Sequence, residues 1–156
     1  MRVRVVAAGT RLPAWVDSGF EEYARRMPPE TPLELREIAV RRGGGAGDGS
    51  RALREEGERM LQAVPAGAYV VALEVTGRAL DTQALARWWA GRLTDGRDLV
   101  FLIGGPEGLS PPCLERCEER LSLSKLTFPH GLARVLLAEA LYRASSLLKG
   151  HPYHRA

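Results

Sequence analysis

The chain predicts an α/β domain with a mostly parallel sheet and helices on both faces. Three observations carry this. The hydrophobic period switches back and forth between two and 3.6, giving five strand-to-helix alternations over 156 residues. Two nearly continuous apolar runs, YVVALEV (69–75) and DLVFLI (98–103), read as strands buried on both faces, as parallel strands are. Helix start and stop signals fall between the runs, among them Ser110-Pro111 and Gly150.

RVRVVAA (2–8) alternates as a strand. Residues 14–27 read as a helix with Trp15, Phe20, Tyr23 and Met27 as apolar anchors and Pro28-Pro29 as its stop. LELREIAV (33–40) alternates again. RRGGGAGDGS (41–50) breaks the pattern, and Ser50 can cap a helix carrying Leu53, Gly57, Met60, Leu61 and Val64. After the strand at 69–75, Asp81 or Thr82 opens a helix with Leu85, Trp88, Trp89 and Leu93. After 98–103, Ser110 caps a helix expected to run to about Arg120. LSLSKLTF (121–128) reads as a short strand or extended segment, and the last helix runs from about Leu132 to Lys149.

The totals bound the class. Apolar residues make up 45% of the chain and charged ones 26%, as in an ordinary globular domain. No apolar run approaches the roughly 20 residues of a membrane span, so no membrane partner is expected and a cytoplasmic location is the default. The net charge of +3 suits a polyanionic partner. Nearly all of the positive charge is arginine, with lysine only at Lys125 and Lys149. Cys113 and Cys117 share a helix face at a spacing that is poor for a disulfide and lacks zinc-site partners. His151 and His154 have no nearby carboxylate, so no metal is expected.

FLIGGPEGLS (101–110) places three glycines just after a strand. In open α/β sheets ligands bind beyond the carboxyl ends of strands, which selects the segments after 69–75, 98–103 and 121–128. A phosphate cradle does not fit. The P-loop spacing and its lysine are missing, Glu107 would repel an anion, and Pro106 removes an N–H from the turn. A bulky neutral or zwitterionic ligand suits the loop better, and a nucleotide hydrolase is disfavoured on the same grounds.

The C-terminal third adds chemistry. Leu137, Leu141, Ala144 and Leu148 stripe the last helix, while Val135, Leu136, Ala138, Tyr142 and Leu147 widen the stripe almost all round. A helix with so few solvated positions suggests a subunit interface. Glu139 and Arg143 stand at i,i+4 spacing. The tail HPYHRA offers Tyr153, His154 and Arg155 for stacking on a base or meeting a phosphate.

IGGPEG (103–108), LSKLTFPH (123–130), RVLLAEALYRA (134–144) and HPYHR (151–155) occur in order, with VAAGTRLPAWVDSGFEEYARRMP (6–28) and EGERML (56–61) before them. Together they resemble the small bacterial methyltransferases that modify N3 of a pseudouridine in large-subunit ribosomal RNA, within the SPOUT class of S-adenosylmethionine enzymes. The resemblance spans essentially the whole chain. It implies one SPOUT domain over residues 1–156, with a trefoil knot formed from about residue 70 to the end, a feature that general topology rules would exclude. It also implies a homodimer acting on ribosomal RNA or the ribosome.

Carried over by position, S-adenosylmethionine would lie against Leu73, Gly104, Gly105, Leu123, Ser124, Lys125, Leu126, Thr127 and Phe128. His130, Glu139 and His154 are the candidates for the proton acceptor. Arg134, Arg143 and Arg155 would neutralise RNA phosphate or the developing imide anion, and Tyr153 would join His154 and Arg155 in contacting RNA. The tail of one subunit would complete the site of the other. Arg41 and Arg42 are open to an RNA role. An RNA-binding module of the same fold without catalysis is the alternative, and the intact glycine loop and tail argue against it.

Overall fold

The structure, a computed structural model, describes residues 1–40 and 49–153. Five strands form one parallel sheet in the order β2-β1-β4-β3-β5. They are β1 (Val3–Ala8), β2 (Leu33–Ile38), β3 (Tyr69–Ala79), β4 (Leu99–Ile103) and β5 (Glu119–Ser122). The helices between and after them are α1 (Ala14–Ala24), α2 (Gly49–Gln62), α3 (Thr82–Asp95), α4 (Pro111–Arg116) and α5 (His130–Leu148).

The alternation of each strand sorts the helices onto two faces. Val3, Val5 and Ala7 of β1, with Leu99, Phe101 and Ile103 of β4, pack with Phe20 of α1, Trp89 of α3 and Leu137 and Leu141 of α5. Val6 and Ala8, with Val100 and Leu102, pack with Met60 of α2 and Cys113 of α4. Both faces of β1 and β4 are therefore buried, which is why the apolar run at 98–103 is unbroken. Each such fully buried large side chain stabilises the fold by roughly 1.5–3 kcal/mol relative to exposure.

Helix ends follow local chemistry. Asp81 caps α3 by accepting from the Ala84 N–H at 2.8 Å. Ser110 caps α4, with Pro111 in its first turn. At the end of α5 the His151 N–H reaches Ser146 O at 2.9 Å and the Gly150 N–H reaches Leu147 O at 3.2 Å. Gly150 takes φ +67°, so these bonds make a Schellman closure.

Several boundaries differ from the sequence reading. The first helix stops at Ala24, and Trp15 is 56% exposed rather than an anchor. Ser50 lies inside α2, not at its cap. α4 ends at Arg116, because Cys117 leaves helical geometry with ψ 133°. Residues 119–120, expected in that helix, join 121–122 in pairing with β3. The Glu119 carboxylate draws them there by accepting from the Tyr69 hydroxyl and Trp88 Nε1, each at 2.8 Å. Strand geometry then ends at Ser122, and 123–128 is a loop. α5 starts at His130, directly after Pro129.

Its almost wholly apolar surface is in large part met within the chain, since α5 packs against both α1 and α3. An apolar girdle on this helix is therefore weaker support for a subunit interface than the sequence pattern suggests.

β3 carries the irregularity that shapes the site. Leu73 and Arg78 both register against Leu121 of β5, so residues 74–77 bulge out of the ladder. Gly77 brings the chain back. A Cβ there would lie 2.7 Å from the Leu121 carbonyl carbon and 2.8 Å from that of Arg120, a passage open only to glycine.

Candidate active site

The carboxyl ends of β3, β4 and β5 surround a cavity of about 520 Å³, a volume suited to a small-molecule ligand. Three segments wall it. The first is Leu73 with the bulge residues Glu74, Val75 and Thr76. The second is Ile103 to Pro106 with Gly108 and Leu109. The third runs from Ser122 to His130, and Ala133 follows from α5.

Of the expected ligand-binding residues, Leu73, Gly104, Gly105, Leu123, Ser124, Leu126, Thr127 and Phe128 all line this cavity. Lys125 does not; it is exposed and takes no part in the lining. The loop is self-braced. Ser122 Oγ donates to Ser124 O at 2.7 Å, and the Leu126 N–H donates to Ser124 Oγ at 3.0 Å.

The two glycines do different jobs. A Cβ on Gly104 would lie 2.5 Å from the Gly108 carbonyl carbon, so the loop's own backbone requires glycine there. That backbone is a turn from Gly105 to Gly108, closed by the Gly108 N–H on Gly105 O at 2.9 Å, with Pro106 at its second position. A Cβ on Gly105 would meet only Ala8 Cβ at 3.7 Å, an ordinary contact. Glycine at 105 is therefore not demanded by packing.

Two titratable groups line the cavity, Glu74 and His130. Among the described residues no lysine or arginine lines it, so its chemistry favours a cationic or zwitterionic ligand over a phosphate. Burial, and then the neighbouring Arg134, hold the His130 imidazole below its ordinary pKa of 6.5, which keeps it neutral at pH 7.

Glu139 and Arg143 lie elsewhere. Nine residues beyond His130 on a helix is about 13 Å along its axis, and neither residue lines the cavity. Arg143 Nε donates to Glu139 Oε1 at 2.9 Å. The Tyr153 hydroxyl donates to the same oxygen at 3.1 Å. The Tyr153 ring sits 4.6 Å from that of Tyr142 and lies under the Arg143 guanidinium at 5.1 Å. Burial, a hydrogen bond shared with Tyr23 and the nearby Glu139 hold the Tyr153 phenol well above its usual range. Within one chain, then, the start of the tail docks on its own α5 and α1 face.

Arg134 is a correction. Read as a cation for RNA, it is fully buried. Its NH1 donates to Glu37 Oε2 at 2.7 Å, and its NH2 donates to Ala8 O at 3.0 Å and Gly9 O at 2.9 Å. No phosphate can reach a guanidinium so placed. His154, Arg155, Arg41 and Arg42 lie outside the described residues. Sequence reasoning missed the 74–76 bulge, Leu109 and Ala133 as lining; the glycine at 77 was the available signal for the first.

Among the described residues no cluster of His, Cys, Asp and Glu is arranged to hold a metal, and no helix is long and apolar enough to cross a membrane. An adenosyl group with a cationic sulfur fits the cavity's apolar walls, its glycine backbone and its one carboxylate.

A parallel sheet with a cavity walled at three strand ends by a bulge, a glycine turn and a braced loop is that of a ligand-binding α/β domain. The chain belongs to the SPOUT methyltransferase family: residues 1–154 match the family model described as "Predicted SPOUT methyltransferase". It is similar to two proteins named "Ribosomal RNA large subunit methyltransferase H". That of Alkalilimnicola ehrlichii is 58% identical over 156 residues, covering all of both chains. That of Methylococcus capsulatus is 50% identical over 155 residues, covering 99% of this chain and all of the relative. A solved probable methylase family protein from Haemophilus influenzae shares the fold at 15% identity, with a TM-score of 0.56 over 99% of this chain and 70% of that one.

Proposed function

We propose that the chain is an S-adenosylmethionine-dependent methyltransferase that modifies N3 of a pseudouridine in large-subunit ribosomal RNA. The observation that carries the reading is the cavity at the three strand ends, walled by a glycine turn and free of lysine and arginine among the described residues. The full-length relatives named for ribosomal RNA methylation support the substrate class.

When bound, the methyl donor supplies an electrophilic methyl carbon on a cationic sulfur. Leu73, Leu123 and Phe128 would sandwich the adenine, and the backbone around Gly104 and Gly105 would approach its edge. Lys125, outside the cavity, would contribute its backbone alone. Glu74, the carboxylate in the lining, would favour the cationic sulfur. His130, held neutral, would accept the N3 proton at a ring nitrogen as N3 bonds to the methyl carbon. His130 would end as an imidazolium, its charge matching the positive charge the methyl donor would give up. Positioning supplies most of the acceleration.

The same reading includes a homodimer in which His154 and Arg155 of one subunit's tail, with Glu139 and Arg143, meet RNA beside the partner's cavity. Tyr153 would serve as the anchor of that tail. It also includes a trefoil knot within residues 70–156, which the close passage of Gly77 against β5 suits.

Mass spectrometry of ribosomal RNA from a deletion strain tests the reaction: one methylated pseudouridine in the large subunit should disappear and return on complementation. Calorimetry with S-adenosylhomocysteine tests the cavity, and absence of binding would remove the enzyme reading.

A further inference from the structure

The loop joining β1 to α1, residues 9–13, has three features that the cavity alone does not explain. The first is the way it is held. Arg134, one turn after His130 on α5, has no solvent exposure and commits its NH2 donors to Ala8 O and Gly9 O at the start of this loop. Its NH1 is tied to Glu37 at the end of β2, and its Nε has no partner. A buried guanidinium is costly, and this one is given over to fixing a surface loop.

The second feature is where the loop is held. Gly9 has φ +111°, and a Cβ there would stand 3.3 Å from His130 Nε2. Ala8 Cβ lies 3.7 Å from the corresponding position on Gly105. The loop thus leaves the sheet beside the cavity: its first residue, Gly9, abuts His130, and Ala8, the last residue of β1, abuts Gly105.

The third is Arg11. It is the one non-glycine among the described residues with a left-handed backbone, at φ 57°. Arginine gains nothing from that conformation, and such strain persists only where the surroundings enforce it. The side chain is exposed, with no hydrogen bond or ion pair to any described residue.

We propose that this loop is the phosphate-facing lip of the active site. Arg11 contacts an RNA backbone phosphate beside the target nucleotide, and Arg134 is the positioning residue that holds the lip against His130. The inference rests on the reading of the chain as a ribosomal RNA methyltransferase. An exposed guanidinium with no partner among the described residues, on a loop that Arg134 ties down at its start, suits phosphate geometry, and a phosphate contact fixes register without reading sequence.

The test uses ribosomes purified from a strain lacking the enzyme, with methyl transfer measured over a range of KCl concentrations. Arg11→Gly should leave the melting temperature unchanged or raise it, because glycine accepts the backbone angle. Calorimetric affinity for S-adenosylhomocysteine should not change. KM for ribosomes should rise roughly three- to tenfold, and the salt dependence of kcat/KM should become shallower by about one unit on logarithmic axes. Arg11→Lys should recover the salt slope.

An unchanged KM and slope in Arg11→Gly would overturn the inference, as would a loss of S-adenosylhomocysteine affinity in step with KM. A fall in melting temperature would also overturn it, by making Arg11 structural. If the wild-type enzyme transfers no methyl group to ribosomal RNA, the functional reading itself fails and takes this one with it. Wild-type transfer with an unaltered Arg11→Gly overturns the lip alone.

Discussion

α5 serves two regions that differ in one respect, whether their polar groups are already partnered. At its start, His130 and Ala133 face a cavity whose walls are mainly backbone and apolar side chains, with Glu74 their one carboxylate. About 13 Å along the axis, Glu139 and Arg143 bond each other, and Tyr153 fills the remaining contact. The first region is open to a ligand. The second is occupied by the chain's own tail. Sequence spacing presents both as equivalent clusters of reactive side chains; the packing separates a place where a ligand can bind from a place where the tail is anchored.

The largest test of that division lies in the glycine turn. Gly104→Ala forces a Cβ to 2.5 Å from the Gly108 carbonyl carbon. It should cost about 1–3 kcal/mol of stability and take S-adenosylhomocysteine binding below detection. Gly105→Ala meets only Ala8 and should cost less than about 1 kcal/mol. Thermal denaturation and calorimetry on both variants decide the matter. Equal losses would mean that the turn is not divided into a packing glycine and a ligand-facing one.

His130→Gln comes next. Loss of a proton acceptor should lower turnover about 100-fold while leaving S-adenosylhomocysteine affinity in place. The pH sign follows from the lowered pKa. Because burial and Arg134 lower this pKa, wild-type activity should fall with acid only at a pH below the ordinary histidine range, as the imidazole becomes protonated. Stability moves the same way: below pH 6.5 the unfolded chain binds the proton more readily, so protonation of this group favours unfolding. A rate that is flat across that window would free His130 from the acceptor role.

Much of this site is legible in the amino-acid sequence. The rule that ligands lie beyond strand ends selects the segments after 69–75, 98–103 and 121–128 from the hydrophobic runs; Leu73, Gly104, Gly105 and the individual residues of 123–128 follow from the family resemblance. What is not legible depends on partners far away in the chain. Arg134 reads as a surface cation because its partner Glu37 is 97 residues distant. The first half of β5, Glu119 and Arg120, reads as the end of a helix because the groups that draw Glu119 into the sheet are Tyr69 and Trp88. The bulge at 74–77 depends on Gly77 passing the backbone of β5, which no local period reveals. In each case a tertiary contact overrides a local pattern.

The smaller effects probe the anchored region. Tyr153→Ala removes the tilted ring contact with Tyr142 and the bond to Glu139 together. Aromatic pairs and hydrogen bonds of this kind contribute about 1 kcal/mol each. Methyl transfer should fall roughly tenfold as the tail loses its seat, with S-adenosylhomocysteine affinity unchanged.

Tyr153→Phe is the finest cut. It keeps the ring 4.6 Å from Tyr142 and under Arg143, and deletes only the hydroxyl that donates to Glu139. The Glu139 carboxylate still has Arg143, so no charge is left unpaired. Transfer should therefore fall by about fivefold or less. A loss as deep as that of His130→Gln would mean that the phenol does chemistry. The division between an open region and an anchored one would then have to be redrawn with Tyr153 among the catalytic residues.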